Sequence, residues 1–211
     1  MPNTDRGGFI TLEGGEGSGK STQISSLVER LGNAGIEVLA TREPGGSPGA
    51  ETIRRLLVEG AVDKWQPLTE CLLHFAARNE HWQRTIKPAL EGGIWVVSDR
   101  FTDSTLAYQG YVQGVDRDII ASLEDMVLGG RRPGLTLVLD IDPEVGLARA
   151  TGAEDRYERM GIDFHRTLRQ AFQRIAADNP ERCLLIDAGR APGAVANTIW
   201  DAVLSRWPEL A

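Results

Sequence analysis

The sequence predicts an α/β fold in three layers, with a five-stranded parallel sheet, helices on both of its faces and a short lid. Three observations predict it: short apolar, β-branched runs alternate with longer helical patterns, several of the runs are apolar on both faces, and a glycine-rich turn follows the first run. Strands that are covered on both faces are typical of parallel sheets, and the alternation implies right-handed crossovers. We therefore expect a single domain over residues 1–211, with the lid at about 149–161.

The predicted elements follow in order along the chain. Strands are expected at Phe9–Glu13, 36–40, 94–98, 135–140 and 183–186. Helical patterns follow the glycine-rich turn up to about residue 31 and recur at 50–58, 68–90 and 194–205, with others in the intervals. Residues 151–161 are polar, charged and poorly periodic, which indicates a surface loop between two helices.

Composition and charge exclude several classes of protein. The chain has 211 residues, 41% hydrophobic and 25% charged, and a net charge of −7. An acidic surface repels phosphates, which argues against a nucleic acid partner. No apolar run is long enough for a membrane helix and the N-terminus has no apolar signal segment, so we expect no membrane partner and a cytoplasmic location. Cys71 and Cys183 stand alone, without zinc-binding spacing.

A phosphate-binding loop follows the first strand. The letters GGEGSGKS match GxxxxGK[ST] between a predicted strand and a predicted helix, the context of a P-loop NTPase fold. Backbone N–H groups cradle phosphate oxygens, Lys20 reaches the β- and γ-phosphates, and the Ser21 hydroxyl ligates Mg²⁺. Glu16 lies near the metal or the incoming substrate, or is a solvated carboxylate. The residues expected to bind ATP are Gly14, Gly15, Glu16, Gly17, Ser18, Gly19, Lys20, Ser21 and Thr22.

Charged residues also follow two other strands. Arg42 comes after the second strand, and Asp99 and Arg100 end the third. Open α/β sheets bind ligands at the carboxyl ends of their strands, and a guanidinium there suits a monophosphate. An Asp at such a position can hold Mg²⁺ or its water shell, and an adjacent Arg can meet the phosphate in transfer. The alternative for Arg42 is a surface salt bridge.

Five stretches of the chain resemble the bacterial thymidylate kinases: FITLEGGEGSGKST, TREPGG, LLHFAAR, DRFTDSTLAYQ and DRYE, in that order. The resemblance implies a P-loop nucleoside monophosphate kinase. It implies that the γ-phosphate of ATP is transferred to dTMP with Mg²⁺, giving dTDP and ADP for dTTP synthesis. It also implies a homodimer.

The resemblance assigns roles to residues of the acceptor site. It places Arg42 at the acceptor phosphate, Asp99 and Arg100 near the reacting phosphates, and Arg78 at the thymine edge. Ser104, Thr105, Tyr108 and Gln109 would border the nucleoside, and Tyr108 would favour deoxyribose by blocking a 2′-hydroxyl. From the sequence alone, Tyr108 could equally be a packed aromatic residue.

The base-stacking position departs from the family, which commonly has a Phe four residues before the arginine. This chain has His74 there and Phe75 beside it. Helical spacing puts Phe75 in an apolar stripe and His74 on the side of Arg78. Either His74 replaces the stacking ring, or the helix turns slightly and Phe75 stacks.

The lid also departs from the family pattern. Relatives without an arginine in the phosphate loop often carry several arginines in the lid. Here the candidates are Arg149, Arg156 and Arg159. We expect Arg156 to be the catalytic lid arginine, with Arg149 second, and Glu158 to anchor the lid or lie near the metal. A solvated charge is the alternative for each arginine.

Two other functions remain open from the sequence. The first is a kinase with another acceptor, such as a different nucleoside monophosphate or a deoxynucleoside, which the histidine departure keeps possible. The second is a P-loop switch or an inactive kinase that acts as a partner protein. The intact Lys20, Ser21, Asp99 and Arg100 and the absence of an NKxD motif argue against the second.

Overall fold

The computed structural model describes residues 7–149 and 156–210. The strands are β1 Phe9–Glu13, β2 Val38–Arg42, β3 Trp95–Asp99, β4 Leu135–Asp140 and β5 Cys183–Asp187. The helices are α1 Lys20–Asn33, α2 Pro48–Val58, α3 Pro67–His81, α4 Lys87–Glu91, α5 Thr102–Thr105, α6 Arg117–Leu128, α7 Pro143–Arg149, α8 Ile162–Asp178 and α9 Pro192–Arg206. A short 3₁₀ turn, Pro208–Leu210, follows α9.

The five strands form one parallel sheet in the order β2-β3-β1-β4-β5, which confirms the predicted fold class. The register aligns Arg42 with Asp99 and Leu12 with Asp99, so the ends of β2, β3 and β1 meet at one edge. β2 starts and ends two residues later than the sequence predicted, because pairing with β3 extends the strand to Arg42. Arg42 is therefore the last residue of the strand.

The sheet is covered on both faces, and alternate residues of β1 face the two layers. Ile10 and Leu12 pack in a core with residues of α1 and α9, such as Leu27 and Ile199. Phe9 packs in a separate core on the other layer, with Trp82. This period-two alternation is what a strand between two helical layers requires.

Two helices widen into π-helical segments, and both lie beside the site. α3 continues through the π segment Trp82–Ile86 into α4, so the helix predicted over 68–90 is observed as one rod with a local irregularity. Pro88 has no N–H to donate one turn back, and the wider turns lie just before it. α5 continues into the π segment Leu106–Val112.

The expected lid lies between α7 and α8. Arg149 is the last residue of α7, and Arg156 begins a turn that leads to α8 at Ile162. Residues 150–155 of the expected lid lie outside the described residues. Among the described residues, no helix is long and apolar enough to cross a membrane.

Candidate active site

The phosphate loop joins β1 to α1. Gly17 has φ +64, and a Cβ on it would lie 1.9 Å from the Gly146 carbonyl oxygen, so glycine is required there. Lys20 is buried, and its Nζ donates to the carbonyl oxygens of Gly14 at 3.2 Å and Gly15 at 3.0 Å. Burial first, and then the charge of Arg100, lowers the pKa of Lys20. The ammonium group is thus held inside the loop at the N-terminus of α1, where phosphate oxygens bind.

Glu16 is not a solvated carboxylate. Its Oε1 accepts from Arg100 Nη2 at 2.7 Å and from the Tyr108 hydroxyl at 3.0 Å. Burial would raise the pKa of Glu16, but Arg100, Lys20 and the Tyr108 hydroxyl outweigh it and lower the pKa to about 2. Glu16 therefore ties the phosphate loop to two residues that were assigned to the acceptor side.

Arg100 bridges the two halves of the site. Its backbone has φ +67, which is uncommon for a residue with a side chain. Its Nη1 donates to Gly14 O at 2.9 Å and to Ser104 Oγ at 3.2 Å. These bonds hold the guanidinium against the phosphate loop.

Glu13 supports this geometry, and sequence reasoning missed it. It is buried at the end of β1, where Phe101 N donates to Oε1 at 2.7 Å and the Ser104 hydroxyl donates to Oε2 at 2.5 Å. Burial first, and then the charge of Asp103, raises the pKa of Glu13 to about 8. Glu13 thereby fixes the backbone directly after Arg100. Its one sequence signal is an acidic residue at the end of an otherwise apolar strand.

Arg78 forms one wall of the acceptor side and is buried. Its Nε donates to Glu43 Oε2 at 2.7 Å, and its Nη2 donates to Phe101 O at 3.1 Å and Thr105 Oγ1 at 3.0 Å. Its Nη1 is buried without a hydrogen-bond partner in the part of the chain that is described. Glu43, a second residue that sequence reasoning missed, thus orients a guanidinium that keeps one donor for a ligand.

The structure separates the two candidates for base stacking. Phe75 is buried in a core with Cys71, Val115 and Ile120. His74 lies on the wall of the central cleft, and its Nε2 lies 3.1 Å from the hydroxyl of Tyr157. Of these two residues, His74 lines the cleft and Phe75 does not.

The remaining acceptor candidates line the same wall. Ser104, Thr105 and Tyr108 are buried beside the cleft. Gln109 also borders the cleft, and its Nε2 donates to the buried Glu70 at 2.8 Å.

The phosphate end of the acceptor side carries two further arginines. Arg42 is exposed and pairs with Glu51 at 3.3 Å, which is the surface salt bridge that the sequence left open. Arg54, which sequence reasoning missed, lines the cleft and donates to Pro44 O at 2.7 Å. Both guanidinium groups are therefore close enough to the cleft to meet an anionic acceptor.

The metal candidates lie at the loop end of the cleft. Asp99 Oδ1 is buried without a hydrogen-bond partner among the described residues, and Ser21 is exposed at the start of α1. The described residues contain no group of three or more His, Cys, Asp or Glu side chains that could hold a metal ion. A cation here would need phosphate oxygens to complete its ligand sphere.

The lid arginines lie in different places. Arg149 is exposed, lines the cleft and donates to Ala188 O at 3.3 Å. Arg156 is fully buried and donates to Leu57 O at 2.5 Å, Val62 O at 3.0 Å and the carboxylate of Glu70. In this conformation Arg156 is buried and does not line the cleft, so its role at the transferred phosphate stays a prediction.

Two other lid residues line the cleft. They are Glu158 and Arg159, and Arg159 donates to the Gly60 carbonyl oxygen.

One continuous cleft of about 1410 Å³ connects the phosphate loop to the wall of His74 and Arg78. A pocket for one drug-sized ligand has about 300–1,000 Å³, so this cleft has room for two nucleotides. Arg100 contacts both the phosphate loop, which is expected to bind ATP, and Ser104 of the expected acceptor site. The fold and this paired site define a P-loop kinase that phosphorylates a small phosphorylated acceptor.

Comparisons with known proteins agree with this class. A family model described as thymidylate kinase matches residues 12–199. The thymidylate kinase of Caulobacter vibrioides is 53% identical over 203 residues, covering 95% of this chain and 98% of that protein. The thymidylate kinase of Bradyrhizobium diazoefficiens is 48% identical, covering 97% and 92%. The crystal structure of thymidylate kinase from Ehrlichia chaffeensis superposes with a TM-score of 0.77 at 36% identity, covering 94% and 98%.

The chain belongs to the thymidylate kinase family. It is a transferase of the nucleoside monophosphate kinase class. The family resemblance and the fold expected from the sequence are both confirmed.

Proposed function

We propose that this protein transfers the γ-phosphate of ATP to dTMP, giving dTDP and ADP. The observation that carries the proposal is the Nη1 of Arg78, a residue that lines the cleft, because this nitrogen is buried without a hydrogen-bond partner among the described residues. A fixed donor there suits the O4 carbonyl of thymine and rejects the amino group that cytosine has in its place. A buried donor left facing another donor costs about 1–3 kcal/mol.

The chemistry is an in-line displacement. A phosphate oxygen of dTMP forms a bond to the γ-phosphorus while the bond from that phosphorus to the β–γ bridging oxygen breaks and ADP leaves. The attacking oxygen is already anionic, so no strong general base is needed. Lys20 and Arg100 supply positive charge from both sides of the transferred group, and neutralisation and alignment carry such reactions.

Arg42 and Arg54 would hold the acceptor phosphate. Both line the cleft on the side of β2 and α2. To bind the phosphate, Arg42 has to release Glu51. This release costs little free energy because the ion pair of Arg42 and Glu51 is exposed.

Mg²⁺ fits the residues at the loop end of the cleft. Asp99 Oδ1 is a buried oxygen without a partner in the described part of the chain, and the Ser21 hydroxyl lies at the start of α1. These two groups would hold the ion or its water shell. When bound, the ion neutralises charge on the triphosphate.

Arg149 and Arg156 remain the two candidates for a lid arginine that meets the transferred phosphate. Arg149 already lines the cleft, whereas Arg156 would first have to leave a buried pair with Glu70. Breaking such a pair costs about 3–5 kcal/mol. The geometry therefore favours Arg149, the reverse of the order that the sequence suggested.

We further propose a homodimer through the exposed sides of α3 and α6, which pack against each other. These two helices expose four large apolar side chains: Leu68, Leu72, Ile119 and Met126, the last at 79% exposure. Clustered exposed apolar groups mark interaction surfaces.

Sedimentation should show a dimer for the wild type and a monomer for Met126→Glu. Val145→Glu, at an exposed apolar residue of α7 that lies outside the proposed interface, is the control. A monomeric wild type would contradict the proposed assembly.

A coupled assay tests the acceptor. Turnover is measured with ATP and each of dTMP, dUMP, dCMP, dAMP and UMP, and dTMP should be preferred. A clear preference for any other acceptor would overturn the assignment. Lys20→Ala should abolish turnover, and unchanged activity would show that the phosphate loop is not catalytic.

A further inference from the structure

A buried hydrogen-bond cluster lies behind the acceptor wall. Its centre is Glu70 of α3, which is 1% exposed. Its Oε1 accepts from Gln109 Nε2 at 2.8 Å, Gln113 Nε2 at 3.0 Å and the Tyr157 hydroxyl at 2.8 Å, and its Oε2 accepts from Arg156. The carboxylate therefore joins α3, the π segment after α5, and residues 156–157, which we call the lid root.

Tyr157 connects this cluster to the cleft. Its hydroxyl proton goes to Glu70, and its oxygen accepts from Arg156 Nη2 at 3.1 Å. Burial first, and then the Glu70 carboxylate, raises the pKa of Tyr157, so the phenol keeps its proton. The contact of this oxygen with His74 Nε2, at 3.1 Å, must then be made by an N–H that donates to it.

The charge and tautomer of His74 follow. Burial first, and then the charges of Arg78 and Arg156, lowers its pKa to about 3, so the ring is neutral at physiological pH. A neutral imidazole carries one N–H, and the contact with Tyr157 assigns it to Nε2. This bond lies in the plane of the ring. A ring that presents its face to a base can keep the bond only in a restricted orientation.

We propose that His74 is a positioning residue that couples the wall facing the acceptor base to the lid root through the hydroxyl of Tyr157. The inference rests on the proposed acceptor site. A base packed against the ring restricts its rotation and strengthens the bond to Tyr157, and by linkage an ordered Tyr157 favours the base. A Phe at this position could stack on a base but has no in-plane donor.

The coupling has a path to the phosphate loop. The Tyr157 ring packs edge-to-face on Tyr108, with centroids 5.4 Å apart and an interplanar angle of 83°. The Tyr108 hydroxyl donates to Glu16 at 3.0 Å, and Glu16 accepts from Arg100. A chain of contacts through Tyr108 and Glu16 thus connects the lid root to Arg100, the arginine between the two proposed substrate sites.

A double-mutant cycle tests the proposal on the full chain. His74→Phe keeps the ring and removes the donor, and Tyr157→Phe removes the hydroxyl. A neutral hydrogen bond contributes about 0.5–1.5 kcal/mol, so each variant should raise the KM for dTMP by about 2- to 10-fold, with a smaller change in kcat. Because both changes remove the same bond, the double variant should be no worse than the more affected single variant. Effects that multiply would overturn the coupling.

Hydrogen exchange at the amides of residues 156–160 gives a second readout. dTMP should slow exchange there in the wild type and much less in His74→Phe. His74→Gln keeps an N–H donor without the ring, so it should raise KM while it preserves the exchange rates of the free protein. Tyr111→Phe, which removes a hydroxyl that contacts the exposed Arg117, is the matched control and should change neither readout.

Equal dTMP protection in His74→Phe and the wild type would also overturn the coupling. Wild-type turnover of dTMP is measured first, so failure of the proposed function is seen before the variants are compared.

Discussion

Replacing Glu16 by Gln removes one charge from the phosphate loop and keeps its shape. The carboxylate pairs with Arg100 at 2.7 Å, and the side chains of Arg100 and Glu16 are 16% and 21% exposed. The pKa of Glu16 falls from 4.5 to about 2, and at about 1.4 kcal/mol per pH unit this corresponds to about 3 kcal/mol of stabilisation by the charged form. Gln can still accept from Arg100, so we expect Glu16→Gln to be less stable by about 1–3 kcal/mol at pH 7.

The pH dependence has a definite sign. A carboxylate whose pKa is lower in the folded protein stabilises it fully above the unfolded pKa, and this stability is lost as the pH falls through the folded pKa. For Glu16 the window runs from 4.5 down to about 2. By pH 4 about 0.8 kcal/mol of the contribution should be lost from the wild type, and none from the variant at this site.

Urea unfolding at pH 7 and pH 4, followed by tryptophan fluorescence, measures both effects. The free energy of unfolding of the wild type should exceed that of Glu16→Gln at pH 7, and the excess should be smaller at pH 4. Glu29→Gln, an exposed change on α1, is the control and should show no such pattern. Equal stability of Glu16→Gln and wild type at pH 7, or a difference that does not change with pH, would refute the assigned role of the Arg100 pair.

Two further predictions concern the loop and the buried support of the sheet. Gly17→Ala should weaken ATP binding by at least about 30-fold in calorimetric titration, because it introduces strain of about 2 kcal/mol or more. Gly15→Ala is the control and should bind ATP nearly as the wild type does, because nothing lies within 4 Å of its added Cβ. Equal affinities of the two variants for ATP would contradict the conformational requirement at Gly17. Arg182 donates to Asp103 at 2.7 and 2.8 Å, so Arg182→Ala should lower the free energy of unfolding by about 3–5 kcal/mol in urea. Arg131 is more exposed and pairs with Glu91, so Arg131→Ala should lower the free energy of unfolding by less than about 1 kcal/mol. Equal losses in the two variants would show that burial of the pair of Arg182 and Asp103 is unimportant.

The sequence predicted the position of the phosphate loop between β1 and α1 because the determinants of that loop are local. The phosphate loop needs glycines and Lys20 at a fixed spacing between a strand and a helix, and Asp99 and Arg100 follow from where a strand ends. Helical spacing also placed Phe75 in an apolar stripe, and Phe75 is buried in a core in the structure. The family and the fold, which depend on these same motifs, are confirmed.

The supporting carboxylates could not be predicted because their partners are distant in sequence. Glu43 meets Arg78 35 residues away, and Glu70 meets Arg156 86 residues away. No periodicity relates such pairs, since packing of the helices on the sheet brings them together. The position of β2 was wrong for a related reason, because pairing with β3 sets the end of that strand.

These pairs also divide the arginines of the cleft by how readily each can meet a substrate. The pair of Arg42 and Glu51 is exposed, so an incoming phosphate can replace the carboxylate at little cost. The pair of Arg78 and Glu43 is buried, and replacing that carboxylate would cost several kcal/mol, about 3–5 when one partner is lost. Arg78 would therefore act with its carboxylate in place, through Nη1, which has no hydrogen-bond partner among the described residues. A net acidic chain can in this way hold a cluster of arginines in order before substrates arrive. In the proposed site the exposed pair would yield Arg42 to phosphate, and the buried pair would hold Arg78 in place to contact the base.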